Sequence, residues 1–251
     1  MLDFNHLDTQ QLRQNKDDLL DRYREFKSRG ITLDITRGKP CPEQLDLASE
    51  MLDIINSGNY LTEDAADCRN YGGLDGIPEA KQLFAQYLEV APEEIIIGGN
   101  SSLNMMHDTF MRAMVKGVAE DSPPWVKLPE VKFLCPSPGY DRHFFICDYL
   151  NIDMITIEMN DTGPDMDQVE ELVADDDGIK GIWCVPRYSN PTGVVYSDEV
   201  VDRLAAMKTK ANDFRIFWDN AYAVHHLDDK PARLKNILTS CKQAGNPERV
   251  F

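Results

Sequence analysis

Residues 180–193 read Lys-Gly-Ile-Trp-Cys-Val-Pro-Arg-Tyr-Ser-Asn-Pro-Thr-Gly, and residues 214–222 read Phe-Arg-Ile-Phe-Trp-Asp-Asn-Ala-Tyr. Each stretch begins with a short apolar run that is typical of a buried strand, and a helix pattern lies between them. Strands that are joined through a helix pair in parallel, so the polar residues after both runs should lie at one edge of a sheet. Open α/β sheets bind their ligands at that edge. The two stretches therefore predict both the fold and the place of its functional site.

The alternation of strands and helices extends over residues 94–251. Strands are predicted at Glu94–Ile97, Val131–Cys135, Ile152–Ile157, Lys180–Val185 and Phe214–Trp218. Helices are predicted at Ser102–Lys116, Asp141–Leu150, Asp165–Ala174 and Ser197–Ala211. This pattern indicates a three-layer α/β/α fold with a mainly parallel sheet. The last residues, Asn246–Phe251, are predicted to form a turn that leads into a further strand.

The N-terminal part shows helix patterns separated by loops. Asp8 or Thr9 can cap a first helix, which should end at Gly30. Residues 31–42 are predicted to be extended and turn-rich, and a helix is predicted over Gln44–Asn56. After the loop at residues 69–76, Pro78 suits the first turn of another helix.

The composition excludes several classes of protein. Of the 251 residues, 42% are hydrophobic and 27% are charged, as in an ordinary globular protein. The net charge of -17 argues against a nucleic-acid surface, because neutralising phosphates needs clustered Lys and Arg. No apolar stretch is long enough for a membrane span, and the polar start does not resemble a secretory signal. The six cysteines are scattered without a C-x-x-C pair, which fits a reducing cytoplasm and argues against a metal cluster.

A small-residue turn, Gly98-Gly99-Asn100-Ser101-Ser102, stands between a predicted strand and a predicted helix. A helix N-terminus presents free N–H groups to a phosphate, and the two serine hydroxyls add donors. The alternative is an ordinary serine cap after a glycine turn. Nucleotide binding has little support, because neither a G-x-G-x-x-G motif nor a Walker lysine is present.

Three further residues follow predicted strands. Tyr140 follows a stiff Pro-Gly turn and could stack on a flat heteroaromatic ring, although a half-buried core aromatic would have the same sequence. Asn190 precedes Pro191, so its backbone is biased to extended conformations, and a simple Asn-Pro turn is the alternative. Asp219 ends a very apolar strand, where an unpaired charge is costly. Its partner could be a pyridinium N–H, and a helix cap is the alternative.

These side-chain types suit pyridoxal phosphate. A carboxylate at Asp219 can pair with the pyridinium nitrogen, while the amide of Asn190 and the phenol of Tyr222 can bond the ring oxygen. Metal binding has less support, because the adjacent His225 and His226 do not face one ligand. The remaining helical histidines, His107 and His143, are predicted to be packing or surface residues.

The order of these features resembles a fold-type I pyridoxal-phosphate-dependent aminotransferase. More narrowly, Arg187–Gly193 and Asp219–Leu227 resemble the class Ic aspartate aminotransferase group, relatives of the aminotransferase-like domain of MocR regulators. The resemblance covers nearly the whole chain but only the N-terminal part of such an enzyme. It implies that residues 1–45 are the helix and arm of a small domain. It also implies that residues 46–251 are a cofactor-binding large domain, incomplete at its C-terminus, of a cytoplasmic homodimer.

The resemblance implies a role for each residue of the cofactor ring site. Tyr140 would stack on the pyridine ring, and Asp219 would pair with its nitrogen. Asn190 and Tyr222 would bond the ring oxygen.

The resemblance also implies contacts with the cofactor phosphate and the substrate. The backbone and hydroxyls of Asn100, Ser101 and Ser102 would bind the phosphate. Tyr71 would reach the phosphate of the neighbouring subunit. Gly38, in the segment Arg-Gly-Lys-Pro that begins at Arg37, would lie near the substrate carboxylate.

The catalytic residues of that family are expected after Phe251. The Schiff-base lysine should follow the strand that begins at Val250, and the arginine for the substrate α-carboxylate should lie further on. None of the three lysines after Asp219 stands at the end of an apolar strand. Without that lysine the chain has no base to move a proton. We therefore expect no catalytic residue within this chain, no transamination by the chain alone, and a longer parent protein.

Three hypotheses follow. The first is the N-terminal part of an aminotransferase that moves an amino group from aspartate, or a similar amino acid, to 2-oxoglutarate. The second is an aminotransferase-like effector domain of a MocR-type regulator, for which the residues before Asp34 offer one helix pattern rather than a basic winged helix. The third is a non-catalytic fragment that binds the cofactor poorly.

Overall fold

The computed structural model describes residues 6–33 and 38–251. They divide into two compact units, with the boundary between Leu61 and Thr62. The division expected after residue 45, into a small-domain part and a cofactor-binding domain, stays a prediction. Arg37, in the segment expected near the substrate, lies outside the described residues.

The first unit contains helices α1 (Thr9–Ser28) and α2 (Pro42–Asp46) and a 3-10 helix at Ser49–Asp53. The predicted cap at Asp8 is confirmed: its carboxylate accepts from the Gln11 backbone N–H at 2.8 Å, and the Gln11 side chain accepts from the Asp8 N–H at 2.9 Å. The continuous helix predicted at Gln44–Asn56 is wrong. Neither short helix there buries a residue, so no packing sustains a longer one.

The second unit is built on one five-stranded sheet. Its strands are β1 (Lys132–Ser137), β2 (Asp153–Asn160), β3 (Gly163–Pro164), β4 (Ile179–Cys184) and β5 (Arg215–Trp218). They lie in the order β3-β2-β1-β4-β5, and every pair is parallel except β2 with β3. The chain returns alongside β5 at its end, where the Phe251 N–H donates to the Ile216 carbonyl at 2.9 Å. The predicted α/β class is confirmed, and the predicted last strand is represented by one parallel bridge between Val250 and Ile216.

Helices cover both faces of this sheet. The helices of the second unit are α3 (Pro78–Leu88), α4 (Ser102–Lys116), α5 (Asp141–Tyr149), α6 (Met166–Asp175), α7 (Asp198–Ala206) and α8 (Ile237–Gln243). One face packs on α4 and α5 through Phe133, Trp183 and Phe217. Their sequence neighbours pack on α6, α7 and α8 at the other face. Alternate residues of each strand therefore face opposite helix layers, as the three-layer prediction requires.

Two predicted elements of the second unit differ from the structure. No strand forms at residues 94–97, since no described strand lies beside this segment; Ile96 is 73% exposed and the Ile97 N–H bonds the Asp75 carbonyl at 2.9 Å. Helix α7 ends at Ala206 rather than Ala211. Met207 leaves the helix at ψ 144° and its carbonyl accepts a bond from the Arg249 guanidinium, so a tertiary contact outweighs helix propensity.

Candidate functional site

The connections of the sheet place a crevice at the carboxyl ends of β1 and β4. From β1 the chain passes to β2 on one side, and β4 lies on the other side of β1. Connections that leave neighbouring strands in opposite directions open a crevice between them, where such sheets bind ligands. The end of β5 is tied to this edge, because the Asp219 N–H donates to the Cys184 carbonyl at 2.8 Å.

Asp219 is held from one side by a buried histidine. The Nε2 atom of His143 lies 3.0 Å from Oδ2 of Asp219, and the two side chains are 1% and 11% exposed. A carboxylate only accepts hydrogen bonds, so Nε2 carries the proton in this pair. The imidazole stacks on Trp183 with ring centroids 4.3 Å apart and planes 10° apart. Within the described residues, Asp219 thus pairs with a histidine and does not cap a helix.

Tyr140 lies beside the same histidine. The two rings meet edge to face, with centroids 5.0 Å apart. The turn before Tyr140 needs a glycine, because a Cβ on Gly139 would collide with the Pro136 carbonyl and the Phe144 ring. Tyr140 is half-buried and precedes the first residue of α5, so its ring is fixed at the crevice.

Two loops, which we call the motif loops, bring Asn190 and Tyr222 together: the first is residues 185–197, between β4 and α7, and the second is residues 219–226, after β5. The Asn190 Nδ2 atom lies 3.5 Å from the Tyr222 hydroxyl oxygen, and both side chains are half-buried. The loop that holds Asn190 is closed by bonds from the Ser189 N–H to the Val194 carbonyl and from the Gly193 N–H to the Ser189 carbonyl, at 2.8 and 2.6 Å. Gly193 has a φ of 76°, which favours glycine.

The predicted phosphate turn begins helix α4. The Ser101 hydroxyl accepts from the Asn104 N–H at 3.3 Å, which is the serine cap considered as the alternative. The N–H groups of Ser102 and Leu103 make no hydrogen bond with other described residues, so they remain available to an anion.

The orientation of α4 puts this N-terminus at the crevice edge. The chain after α4 returns to Trp125, which packs on Phe110 of α4 and donates from Nε1 to Asp213 at 2.9 Å. Asp213 precedes β5, so the C-terminal end of α4 lies at the amino edge of the sheet. Its N-terminal end therefore points toward the carboxyl edge, where Asp219 lies.

Two predicted residues lie apart from this cluster. Tyr71 is 97% exposed, so a contact across a subunit interface stays a prediction. Gly38 is exposed in the first unit, and its role near a substrate carboxylate also stays a prediction.

The sequence interpretation missed two residues. The helix pattern predicts a packing or surface role for His143, and the structure shows that it also forms a hydrogen bond with Asp219; the signal in the sequence is its place in the first turn of a helix that follows a strand end. The sequence pattern assigns no role to Arg187, which lies within the first motif. Its guanidinium donates from Nη1 to the Ala223 carbonyl and so joins the two motif loops.

The polar side chains at this edge fit a planar ring with a protonated nitrogen. Asp219 supplies a carboxylate whose Oδ1 makes no bond with another described residue, and Asn190 and Tyr222 supply an amide and a phenol. Residues 6–33 and 38–251 contain no group of three or more His, Cys, Asp or Glu side chains that could hold a metal ion. They also contain no helix that is long and apolar enough to span a membrane.

Comparisons with known proteins agree on one family. The model of the family described as aspartate amino-transferase matches residues 7–251. A protein of Mycolicibacterium smegmatis named as an aminotransferase is 48% identical over 229 residues, which are 90% of this chain and 54% of that protein. The aspartate aminotransferase of Corynebacterium glutamicum is 46% identical over 235 residues, which are 94% of this chain and 54% of that protein.

A solved structure extends the likeness to the fold. The crystal structure of an aspartate transaminase from Corynebacterium glutamicum superposes with a TM-score of 0.91 at 45% identity. The match covers 97% of this chain and 57% of that one. The chain thus spans about half the length of the relatives it matches.

Proposed function

This chain belongs to the aspartate aminotransferase family, and on that premise we propose that it forms the pyridoxal phosphate site of a longer aminotransferase. The whole protein would move an amino group from aspartate, or a similar amino acid, to 2-oxoglutarate. We further propose that its catalytic lysine lies beyond Phe251 and that it acts as a cytoplasmic homodimer.

The observation that carries this proposal is the orientation of the Asp219 carboxylate. His143 forms a hydrogen bond with Oδ2 at 3.0 Å, which leaves Oδ1 available to accept a hydrogen bond from a second donor. A protonated ring nitrogen is such a donor, and a buried negative charge stabilises that proton. Bound pyridoxal phosphate would supply the electron-accepting ring for chemistry at the substrate Cα.

The remaining residues would orient the cofactor. Asn190 and Tyr222 would bond the ring oxygen, and Tyr140 would cover one face of the ring. The free N–H groups at the start of α4, with the hydroxyl of Ser102, would receive the phosphate. Asn100 and Ser101 complete the same turn. Together these contacts fix the ring against the crevice, which is the protein's part in this chemistry.

Two roles concern partners of the site. Tyr71 is exposed enough to reach the phosphate site of a second subunit, and Gly38 would lie near a substrate carboxylate. The role of Tyr71 needs the assembled dimer.

The test compares this chain with a version extended to the length of its relatives. Each protein is titrated with pyridoxal phosphate, reduced with borohydride and assayed for amino transfer from aspartate to 2-oxoglutarate. We expect reversible binding without transfer by the chain, and both transfer and a single reduced lysine adduct beyond Phe251 in the extended protein. Amino transfer by the chain alone, or an extended protein without an adduct, would refute the proposal.

A further inference from the structure

We infer that Arg187 is a positioning residue that holds Asn190 and Tyr222 together. The inference rests on the proposed function for the meaning of that pair, but its geometry stands on the chain alone. The Arg187 Nη1 atom donates to the carbonyl of Ala223, the residue after Tyr222. Arg187 itself stands three residues before Asn190. One bond therefore fixes the spacing of the two loops next to the two side chains that meet at 3.5 Å.

The positive charge of Arg187 has no oppositely charged partner in the described part of the chain. No carboxylate of residues 6–33 or 38–251 forms an ion pair with it, and its buried Nε atom has no hydrogen-bond partner there. The Nε atom is buried, whereas the Arg187 side chain as a whole is half-buried. Among the described residues, the hydrogen bond to the Ala223 carbonyl is the contact that orients its guanidinium.

Arg187 acts from the side of the loops opposite to the crevice. Successive residues of an extended segment point to opposite sides. Asp219 points toward His143, whereas its neighbour Asn220 lines a cavity of about 340 Å³ that Arg187 also lines. The side chain of Arg187 thus contacts the second motif loop on the side that faces this cavity, and it does not occupy the crevice beside Asp219.

The residue after Arg187 has an unusual backbone conformation. Tyr188 has a φ of 49°, a conformation that residues with a Cβ rarely adopt. Its hydroxyl lies 3.1 Å from Nδ1 of His226 and accepts from the Ala232 N–H at 3.3 Å. Non-glycine residues with such dihedrals persist where the surroundings over-determine them, and they cluster at functional sites. Arg187 and Tyr188 together join the first loop to the segment that follows Tyr222.

The first test needs no ligand. Hydrogen exchange of the whole chain is compared for the wild type, Arg187→Met and Arg187→Lys, with Arg233→Met as the matched control. Arg233 is an exposed arginine near the same loops.

We expect the amides of Ala223 and His225, which donate hydrogen bonds to carbonyls within the second loop, to exchange at least about tenfold faster in Arg187→Met. Strands β1 and β4 should exchange as in the wild type. Arg187→Lys should restore part of the protection, and Arg233→Met should change nothing. Unchanged exchange at Ala223 and His225 in Arg187→Met would overturn the inference.

The second test asks whether the pair serves the ring oxygen. Binding of pyridoxal phosphate and of its 3-deoxy analogue is measured by fluorescence titration for each variant. Hydrogen bonds to a charged oxygen should make the wild type prefer pyridoxal phosphate by roughly tenfold. Arg187→Met should reduce this preference toward one, and in a Tyr222→Phe background it should reduce it no further. A purely structural role would weaken both ligands equally and leave the ratio unchanged, which would overturn the inference.

The two tests separate the possible failures. A wild-type chain that binds neither ligand would refute the proposed cofactor site, while the exchange test would still decide whether Arg187 holds the loops. Binding with an unchanged ratio would refute the positioning role and leave the cofactor site standing.

Discussion

The Nε2 atom of His143 lies 3.0 Å from Oδ2 of Asp219, and this bond joins helix α5 to the end of strand β5. The imidazole is itself fixed by stacking on Trp183 at 4.3 Å. The carboxylate therefore has its orientation before any ligand binds. Sites whose binding groups are locked by surrounding contacts bind with less loss of side-chain freedom.

We predict that His143→Gln lowers the affinity for pyridoxal phosphate by roughly tenfold, because a bond to a charged group contributes about 1.5–3 kcal/mol and glutamine replaces it only in part. The measurement is a fluorescence titration of the folded variant. His107→Gln is the control, since His107 lies on the surface of α4 at 40% side-chain exposure and its nearest carboxylate is that of Asp108. Equal losses in both variants would contradict a specific role for the Asp219 bond.

We predict that Asp219→Asn lowers the same affinity by about a hundredfold without unfolding the protein. Asparagine keeps the shape and can still accept from His143, but it removes the negative charge that a protonated ring nitrogen needs. Near-ultraviolet circular dichroism should report an unchanged environment for Trp183, which packs on His143. Wild-type affinity in this variant would exclude the assigned partner of the ring nitrogen.

The fold was largely predictable because strands and helices differ in period. The polar faces of α6 and α7 and the apolar runs of β4 and β5 follow simple patterns, and the structure forms each of them near its predicted place, although α7 ends at Ala206 rather than Ala211. The segment 94–97 carries the same apolar signal as β4. It forms no strand because hydrogen bonds to a neighbouring strand, which no local pattern encodes, are needed.

The sequence predicts residues of the candidate site only where they follow strand ends. Asn190, Asp219 and Tyr222 are predicted in this way, since the carboxyl ends of parallel strands meet at one edge, and their roles at a cofactor stay a prediction. The roles of His143 and Arg187 depend on contacts across 76 and 36 residues of sequence. A histidine in a helix and an arginine in a loop can have many roles, so the contacts of His143 and Arg187 are identified only from the three-dimensional structure.

We predict that Lys180→Met destabilises the second unit by about 3 kcal/mol or more. The Lys180 Nζ atom lies 2.6 Å from Asp213, and both side chains are 8% exposed. Removing the lysine leaves a buried carboxylate whose remaining hydrogen bond from a described residue is that of Trp125. Urea unfolding gives the free energy.

Lys235→Met is the matched control for that measurement. Lys235 lies 2.7 Å from Asp202, but the two side chains are 32% and 53% exposed. Water and salt screen such a pair, so its loss should cost less than about 1 kcal/mol. Similar unfolding midpoints for the two variants would show that burial does not set the strength of these ion pairs.

Our last prediction concerns alkaline pH. Burial raises the pKa of the Cys241 thiol from 9.0 to about 11, and burial likewise raises the pKa of Cys184. The folded state therefore keeps these protons after the unfolded state has lost them. Their contribution to stability is complete below pH 9 and falls as the pH rises, for Cys241 until about pH 11. Each thiol contributes about 1.4 kcal/mol per pH unit to the decline of the free energy of unfolding.

Urea unfolding across this pH range should show a shallower decline of the free energy of unfolding in Cys241→Ala, whereas alanine at the exposed Cys68 should leave the slope unchanged. An unchanged slope in Cys241→Ala would mean that the buried thiol meets water before the protein unfolds.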